Sequence, residues 1–326
     1  MKIVRFSKEH MKEAKALARE NYHEACKKLS MLPVMGEIPD LDAFADNGLG
    51  VAAFEGERMV GFLCCYRPWE NAFDSAAIGT FSPLFAHGAI QEKRVIIYRR
   101  MYEEAAAIWV RHQIGYHGIT LYAHDDAARE AFFTYGFGMR CIDAIREMKR
   151  IELEEDKQGE RVGLLEFKEL TREEMSQVRQ LRRLLSKHFS QSPCFMYETS
   201  EDCEQSILEK ERSDHRVFVA KCGEEIISFV EVRDEGENFI TTDPKIKNIC
   251  GAFCLPEYRG RAVVQSLINF MIQQLQKEGY THLGVDFESF NATANAFWRK
   301  YFQVYTHSLT RRIDECAFKM NQHDLS

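Results

Sequence analysis

The sequence predicts a mixed α/β protein made of two copies of one domain, each a central mixed sheet flanked by helices. Three observations carry that expectation. A strand–turn–strand unit occurs twice, at Val51–Leu63 around Gly56 and at Val217–Phe229 around Gly223. An apolar run stopped by proline also occurs twice, at Gly79-Thr80-Phe81-Ser82-Pro83 and at Gly251-Ala252-Phe253-Cys254-Leu255-Pro256. The third pair is a short amphipathic segment followed by a strand, Asp125–Gly136 with Arg146–Ile151 and Asn291–Phe302 with Ser308–Ile313. Recurrence in the same order implies an internal duplication, and 326 residues suit two domains. The expected division is 1–155 and 162–326, with the charged stretch 149–161 as linker.

In the first copy, Ile3–Phe6 reads as a strand and Ser7 as the cap of a helix through Met11, Ala14, Leu17 and Ala18. Residues 31–50 are polar, with proline and glycine. The hairpin at 51–63 and a third strand at Ala77–Phe81 follow. Leu84–Ala89 leads into a long helix through Ile97, Met101, Ala105, Ile108 and Trp109. Gly118–Tyr122 reads as a strand and Asp125–Tyr135 as a helix closed by Gly136.

The second copy opens on a strand at Leu164–Phe167. Thr171 and Glu174 then form a capping box for a helix through Met175, Val178, Leu181, Leu185 and Phe189. After the hairpin at 217–229, the run Ile249–Leu255 is a strand. Arg259-Gly260-Arg261 is a basic turn, and Val264, Leu267, Ile268, Met271 and Leu275 keep helical period up to Gly279. Strand, turn and helix in this order leave unpaired backbone N–H groups where an anion can sit. Gly279–Phe287 is a second buried strand and Asn291–Phe302 an amphipathic helix.

This arrangement resembles the core of the GNAT superfamily of acyl-CoA-dependent N-acyltransferases. In that family a strand feeds an Arg/Gln-x-x-Gly-x-Gly/Ala turn around the coenzyme A pyrophosphate. An Asn-x-x-Ala-x-x-Leu-Tyr helix flanks the thioester. Arg259, Gly260 and Arg261 fit the turn, and Asn291, Ala294 and Phe297 fit the helix. Ala262 and Val264 stand at the family's glycines, and Trp298 at its tyrosine. The resemblance covers about 217–314 and implies tandem GNAT domains that use acetyl-CoA. It implies that backbone groups at Phe253, Cys254 and Leu255 meet the pantetheine, in a gap where residues 251–255 splay from 284–287. Arg259, Gly260, Arg261, Ala262, Val264, Asn291 and Trp298 complete the expected cofactor contacts.

Acyl transfer to an amine requires loss of a proton from an ammonium. Asp286 and Glu288 alternate with Val285 and Phe287, so they share one strand face as candidate bases. An ordinary surface pair bound to Arg299 or Arg311 is the alternative. Trp298 cannot serve as an acid, so Tyr301 and Tyr305 are the candidate donors to the leaving thiolate. Cys254 has no adjacent histidine to make it a nucleophile. In the first copy the segment Phe85–Gln91 lacks paired arginines, Asp125 replaces the asparagine and Phe132 the tyrosine. That copy therefore reads as a degenerate domain that shapes the acceptor pocket. Its His87 and His124 read as polar residues near the corresponding cleft, His87 more simply as a satisfied loop histidine.

A hydrophobic content of 45% supports real cores, and net charge −7 disfavours nucleic-acid binding. No apolar run is long enough to span a membrane. The ten cysteines form no Cys-x-x-Cys pair and no signal peptide is evident. They read as reduced cytoplasmic thiols without metal ligation. The leading expectation is a cytoplasmic acetyl-CoA-dependent N-acetyltransferase acting on a small amine or amino-acid-like acceptor. The alternative is a catalytically silent sensor or scaffold that binds an acyl-CoA or another ligand. A homodimer is compatible with either.

Overall fold

The computed structural model describes residues 1–35, 37–153 and 165–318. In chain order the elements are β1 (Lys2–Arg5), α1 (Met11–Lys28), α2 (Asp42–Ala45), β2 (Val51–Glu55), β3 (Arg58–Leu63), β4 (Gly79–Ser82), β5 (His87–Ala89), α3 (Arg94–Arg111), β6 (Tyr116–Tyr122), α4 (Asp126–Thr134) and β7 (Gly138–Glu147). They continue as β8 (Leu165–Glu169), α5 (Arg179–Ser190), α6 (Ser200–Arg212), β9 (Arg216–Cys222), β10 (Glu225–Arg233), β11 (Ile246–Cys254), α7 (Val263–Lys277), β12 (His282–Glu288), α8 (Ala292–Tyr301), β13 (Gln303–Val304) and β14 (Thr306–Arg312).

The chain forms two compact units, the first of residues 1–142, 238–240 and those described from 304 on, the second of 143–237 and 241–303. The division thus falls inside β7. The expected boundaries at 155 and 162, and the linker from 154 to 161, lie outside the described residues.

In the first unit one sheet has the order β1-β2-β3-β5 and another runs β4-β6-β14-β7. The C-terminal strand, expected in the second copy, belongs instead to the first unit. β14 pairs with β6 from Thr306↔Tyr122 to Arg312↔Tyr116. An alternating strand carries the same two-residue pattern whichever sheet accepts it, so only register decides its partner. The core of the unit gathers Tyr98, Met101, Tyr102, Ala105, Ile108 and Trp109 from one face of α3, with Phe132 and Leu309.

The second unit has the strand order β12-β11-β10-β9-β8, antiparallel except for the parallel pair β11–β12. The run Val217-Phe218-Val219-Ala220 is buried throughout, as befits a strand covered on both faces. Along α7, Val263, Leu267, Ile268, Met271, Ile272 and Leu275 are buried at helical spacing, and Gly279 ends the helix with φ 93°. Buried Asn269 on α7 holds both the N–H and the carbonyl of Ile151. Thr171 and Glu174 make the expected capping box. The helix α6 was not anticipated, because Ile207 is its one buried residue and it carries little apolar signal.

Gly284 sits opposite Asn248, and a Cβ there would lie 2.2 Å from Asn248 Oδ1. The Asn248 amide is already committed to the Asp234 carbonyl at 2.9 Å and is buried. Gly284→Ala is therefore expected to cost about 1–3 kcal/mol through overpacking. Urea unfolding should show a lower midpoint with an unchanged slope.

Candidate active site

The site begins where β11 loses one of its two partners. Ile246–Ile249 pair in parallel with His282–Val285, and the pairing ends there. Beyond it, Gly251–Cys254 pair only with β10, from Glu231↔Gly251 to Ser228↔Cys254. Cys250 is the extra residue of a bulge between these two registers. The splay expected between 251–255 and 284–287 is therefore present. The Leu255 N–H bonds the Ile227 carbonyl at 2.9 Å. By strand alternation, the N–H groups of Ala252 and Cys254 face the other way, into the gap, whereas that of Phe253 turns toward β10.

This gap opens into a cavity of about 260 Å³ whose wall includes Ala252, Phe253, Cys254, Arg259, Gly260, Val264, Asn291 and Trp298. Arg259 Nε donates to the Cys254 carbonyl at 2.9 Å, and its guanidinium lies over the Phe253 ring. Gly260 has φ 76° and Ala262, the N-cap of α7, has φ 57°. Two left-handed residues fold the turn so that the open N–H groups of α7 meet the cavity end. An alanine in that conformation carries strain that the family glycine avoids. Arg261 is exposed, Leu255 packs against the core, and neither lines the cavity, nor does Ala262. Leu185, His188, Tyr258, Gln265 and Thr293 line it without having been anticipated. His188 Nε2 lies 3.4 Å from Asn291 Oδ1.

A second cavity, of about 290 Å³, shares Leu185, Ala252, Asn291, Ala294 and Trp298 with the first. Asp286 and Glu288 both line it, half-buried between buried Val285 and Phe287. Burial, reinforced by the charges of Glu237 and Asp143, pushes the Asp286 carboxyl up to about 8. Deeper in this cavity Glu231 is 1% exposed. Its carboxylate meets His215 Nδ1 at 2.7 Å and Arg182 Nη2 at 3.2 Å. The ligand atoms of His215, Glu231 and Cys250 lie within 4.8 Å of one another, the one group of three such donors among the described residues. Glu231 is already engaged by two partners there, and burial pushes the Cys250 thiol up to about 12. All residues lining the two cavities belong to the second unit.

The candidate acids are placed differently from expectation. Tyr305 lies in the first unit, where its hydroxyl accepts from Asn238 Nδ2 at 2.9 Å, and it lines neither cavity. It directly precedes β14 and follows that strand into the first unit. Tyr301 stands behind the wall, its hydroxyl accepting from Gln265 Nε2 at 3.1 Å. Cys254 is held as a thiol, because burial pushes it up to about 11.

In the first unit the equivalent groups are spoken for. Parallel pairing of β4 with β6 matches that of Ile246–Ile249 with β12, and β5 against β3 matches Gly251–Cys254 against β10. Gly79–Ser82 therefore corresponds to Ile246–Ile249, not to Gly251–Leu255, and His87–Ala89 is the cleft-side strand, not the turn. Ile90 N–H bonds Val60 as Leu255 bonds Ile227, so Ala89 stands for Cys254. Both Ala89 backbone groups are bound by the side-chain amide of buried Asn21 at 3.1 Å. Arg94 Nη2 adds a bond to the same carbonyl, and Nη1 reaches Asp125 at 3.0 Å. Asp125 caps α4 through the Ala128 N–H, as Asn291 caps α8 through that of Ala294. Lys93 begins α3 at φ 57°, the conformation of Ala262. His87 is buried between the Tyr98 hydroxyl and the Thr120 carbonyl. It is a satisfied core histidine.

Comparison with known proteins agrees with this geometry. Residues 178–302 match the family model described as acetyltransferase (GNAT) family. The crystal structure of a GCN5-related N-acetyltransferase from Sphaerobacter thermophilus is similar across 95% of each chain, with TM-score 0.57 and 10% identity. A GCN5-related glucosamine N-acetyltransferase region of a fungal multi-domain GH3 β-N-acetylglucosaminidase aligns with 95% of this chain and 38% of its own, with TM-score 0.51 and 13% identity. A tandem GNAT protein from the clavulanic acid biosynthesis pathway covers 95% of this chain and 98% of its own, with TM-score 0.47 and 13% identity. For the first two structures, at 10% and 13% identity, the likeness is one of fold. A search of curated protein sequences returned no match.

Proposed function

We propose, from the premise that residues 178–302 are a domain of the GNAT acetyltransferase family, that the second unit transfers an acyl group from a coenzyme A thioester to a small amine. The observation that supports this most is the end of β11–β12 pairing at Ile249–Val285, which leaves backbone donors facing a cavity lined by Arg259, Gly260 and Asn291. Arg259 and the opening turn of α7 would hold the pyrophosphate. The Ala252 and Cys254 N–H groups would hold the pantetheine and acyl oxygens. Coenzyme A would supply a thioester, whose carbonyl accepts the amine and whose sulfur departs as thiol.

The second cavity takes the amine. Asp286 accepts its ammonium proton, and a base near pH 8 is well matched to that transfer. Oriented N–H donors at the acyl oxygen are commonly the largest catalytic term, each worth about 3 kcal/mol. In this reading His188, held at Asn291, passes to the departing sulfur the second proton that the nitrogen sheds on becoming an amide, since Trp298 cannot.

Each chain is expected to bind one coenzyme A, because Asn21 and Arg94 already occupy the groups that would bind a second. Calorimetric titration should give a stoichiometry near one. Arg259→Glu should weaken binding at least tenfold at low salt, about 1.4 kcal/mol, with a smaller effect as salt rises. Two saturable sites, or unchanged affinity, would overturn the assignment. Binding without thiol release for any amine would favour the silent ligand-binding reading, to which Trp298 in place of the family tyrosine lends weight.

A further inference from the structure

The second cavity contains a feature that amine acetylation does not require. Arg182, on α5, is 4% exposed and lines the cavity. Its Nε, Nη1 and Nη2 atoms are buried without a hydrogen-bond acceptor among the described residues. Glu231 approaches one edge of the guanidinium at 3.2 Å, but its other oxygen is taken by His215. A buried donor left unmet is costly, and a guanidinium presents five donors in a planar fork that matches a carboxylate. Lys210, from α6, adds a second positive charge to the same cavity. Asp286 and Glu288 on β12 supply carboxyl groups to it.

From this we infer that the acceptor carries a carboxylate as well as its amine, with Arg182 binding the carboxylate and Lys210 supporting it. The inference rests on the acyltransferase reading and names its substrate class: an amino acid or a similarly small amino-carboxylate. Two cationic side chains, Arg182 and Lys210, and four carboxyls, Glu198, Glu231, Asp286 and Glu288, line one cavity, and groups of both signs suit a zwitterion. A polycationic amine would leave Arg182 unmet and face its charge. A volume of about 290 Å³ is at the small end for ligand sites and suits a molecule of this size.

The test begins with coenzyme A titration of the full chain, which examines the acyltransferase reading alone. Thiol release from acetyl-CoA is then measured with the common L-amino acids, their α-amides and their decarboxylated amines. Thermal shift of the coenzyme-loaded protein with the same compounds records binding even where turnover is absent. At least one free acid should be used or bound tenfold or more better than its amide and its decarboxylated amine. Arg182→Lys should raise the acceptor KM, or the midpoint of the thermal shift, at least tenfold while coenzyme A affinity stays the same. Lys210→Ala, at a less buried position, should raise it several-fold and covers the case in which the Arg182 variant fails to fold. Equal preference for acids and amides, no shift with any free acid, or an unchanged KM in the Lys210 variant would overturn the inference. Loss of coenzyme A binding by the unaltered protein would instead overturn the acyltransferase reading.

Discussion

Asp286→Asn is expected to lower turnover about 10²–10³-fold, the range of a lost general base. Coenzyme A affinity should stay the same, because Asp286 lines the second cavity and not the first. The pH profile makes the role specific. Burial holds the carboxyl up to about 8, with Glu237 and Asp143 adding to the effect. A general base acts in its deprotonated form, so in that role Asp286 should make activity of the native protein rise with pH through about 8 and then level. The asparagine variant should lack that limb. Stability should show the opposite trend. A carboxyl whose folded pKa lies above its unfolded value binds its proton more tightly in the folded state. Its contribution is fully present below about pH 4 and is lost as pH rises through about 8. The variant, with nothing to ionise there, should be less destabilised by alkaline pH. A variant that keeps both the rate and the limb would transfer the role to Glu288.

The duplication was legible because apolar periodicity is written into each copy separately. Val263, Leu267 and Met271 repeat at helical spacing, and Val217–Ala220 is an unbroken apolar run. The basic turn and Asn291 were legible because a phosphate-sized turn before a helix requires small and cationic residues close together in sequence. Other features depend on partners far apart in sequence. Nothing local to Asn21 indicates that its amide binds Ala89, 68 residues on. Nor does the alternation at Ser308–Arg312 indicate that β6 accepts the last strand. Matching Gly79–Ser82 to Gly251–Cys254 by composition shifted the comparison along the strand, because the pairing of each half is what identifies it. One further signal lies in the sequence itself. Arg182 stands four residues after Val178 and three before Leu185, on the stripe read as apolar, and Glu231 stands between Val230 and Val232. A charge on a buried stripe marks either a paired core group or a site. Arg182 is both: it faces Glu231 at 3.2 Å and lines the second cavity.

Glu231→Gln, by removing one partner of that pair, is expected to destabilise the second unit by about 3–5 kcal/mol. Glu231 is 1% exposed. Burial pushes its carboxyl up, but the hydrogen bond from His215 and the charge of Arg182 together outweigh this and hold it below the usual range. It is therefore an anion enclosed by protein. Glutamine keeps its shape and leaves the Arg182 charge without its carboxylate partner. Replacing both members, as Arg182→Met with Glu231→Leu, removes the two charges together and should restore stability to near that of the native protein. Equilibrium unfolding in urea distinguishes these outcomes. A single variant as stable as the native chain would mean that water from the cavity compensates Arg182, and would overturn this expectation. The double variant separates folding from recognition. It should fold and bind coenzyme A, yet lose its preference for a free acid over the matching amide, because the guanidinium that reads the carboxylate is gone.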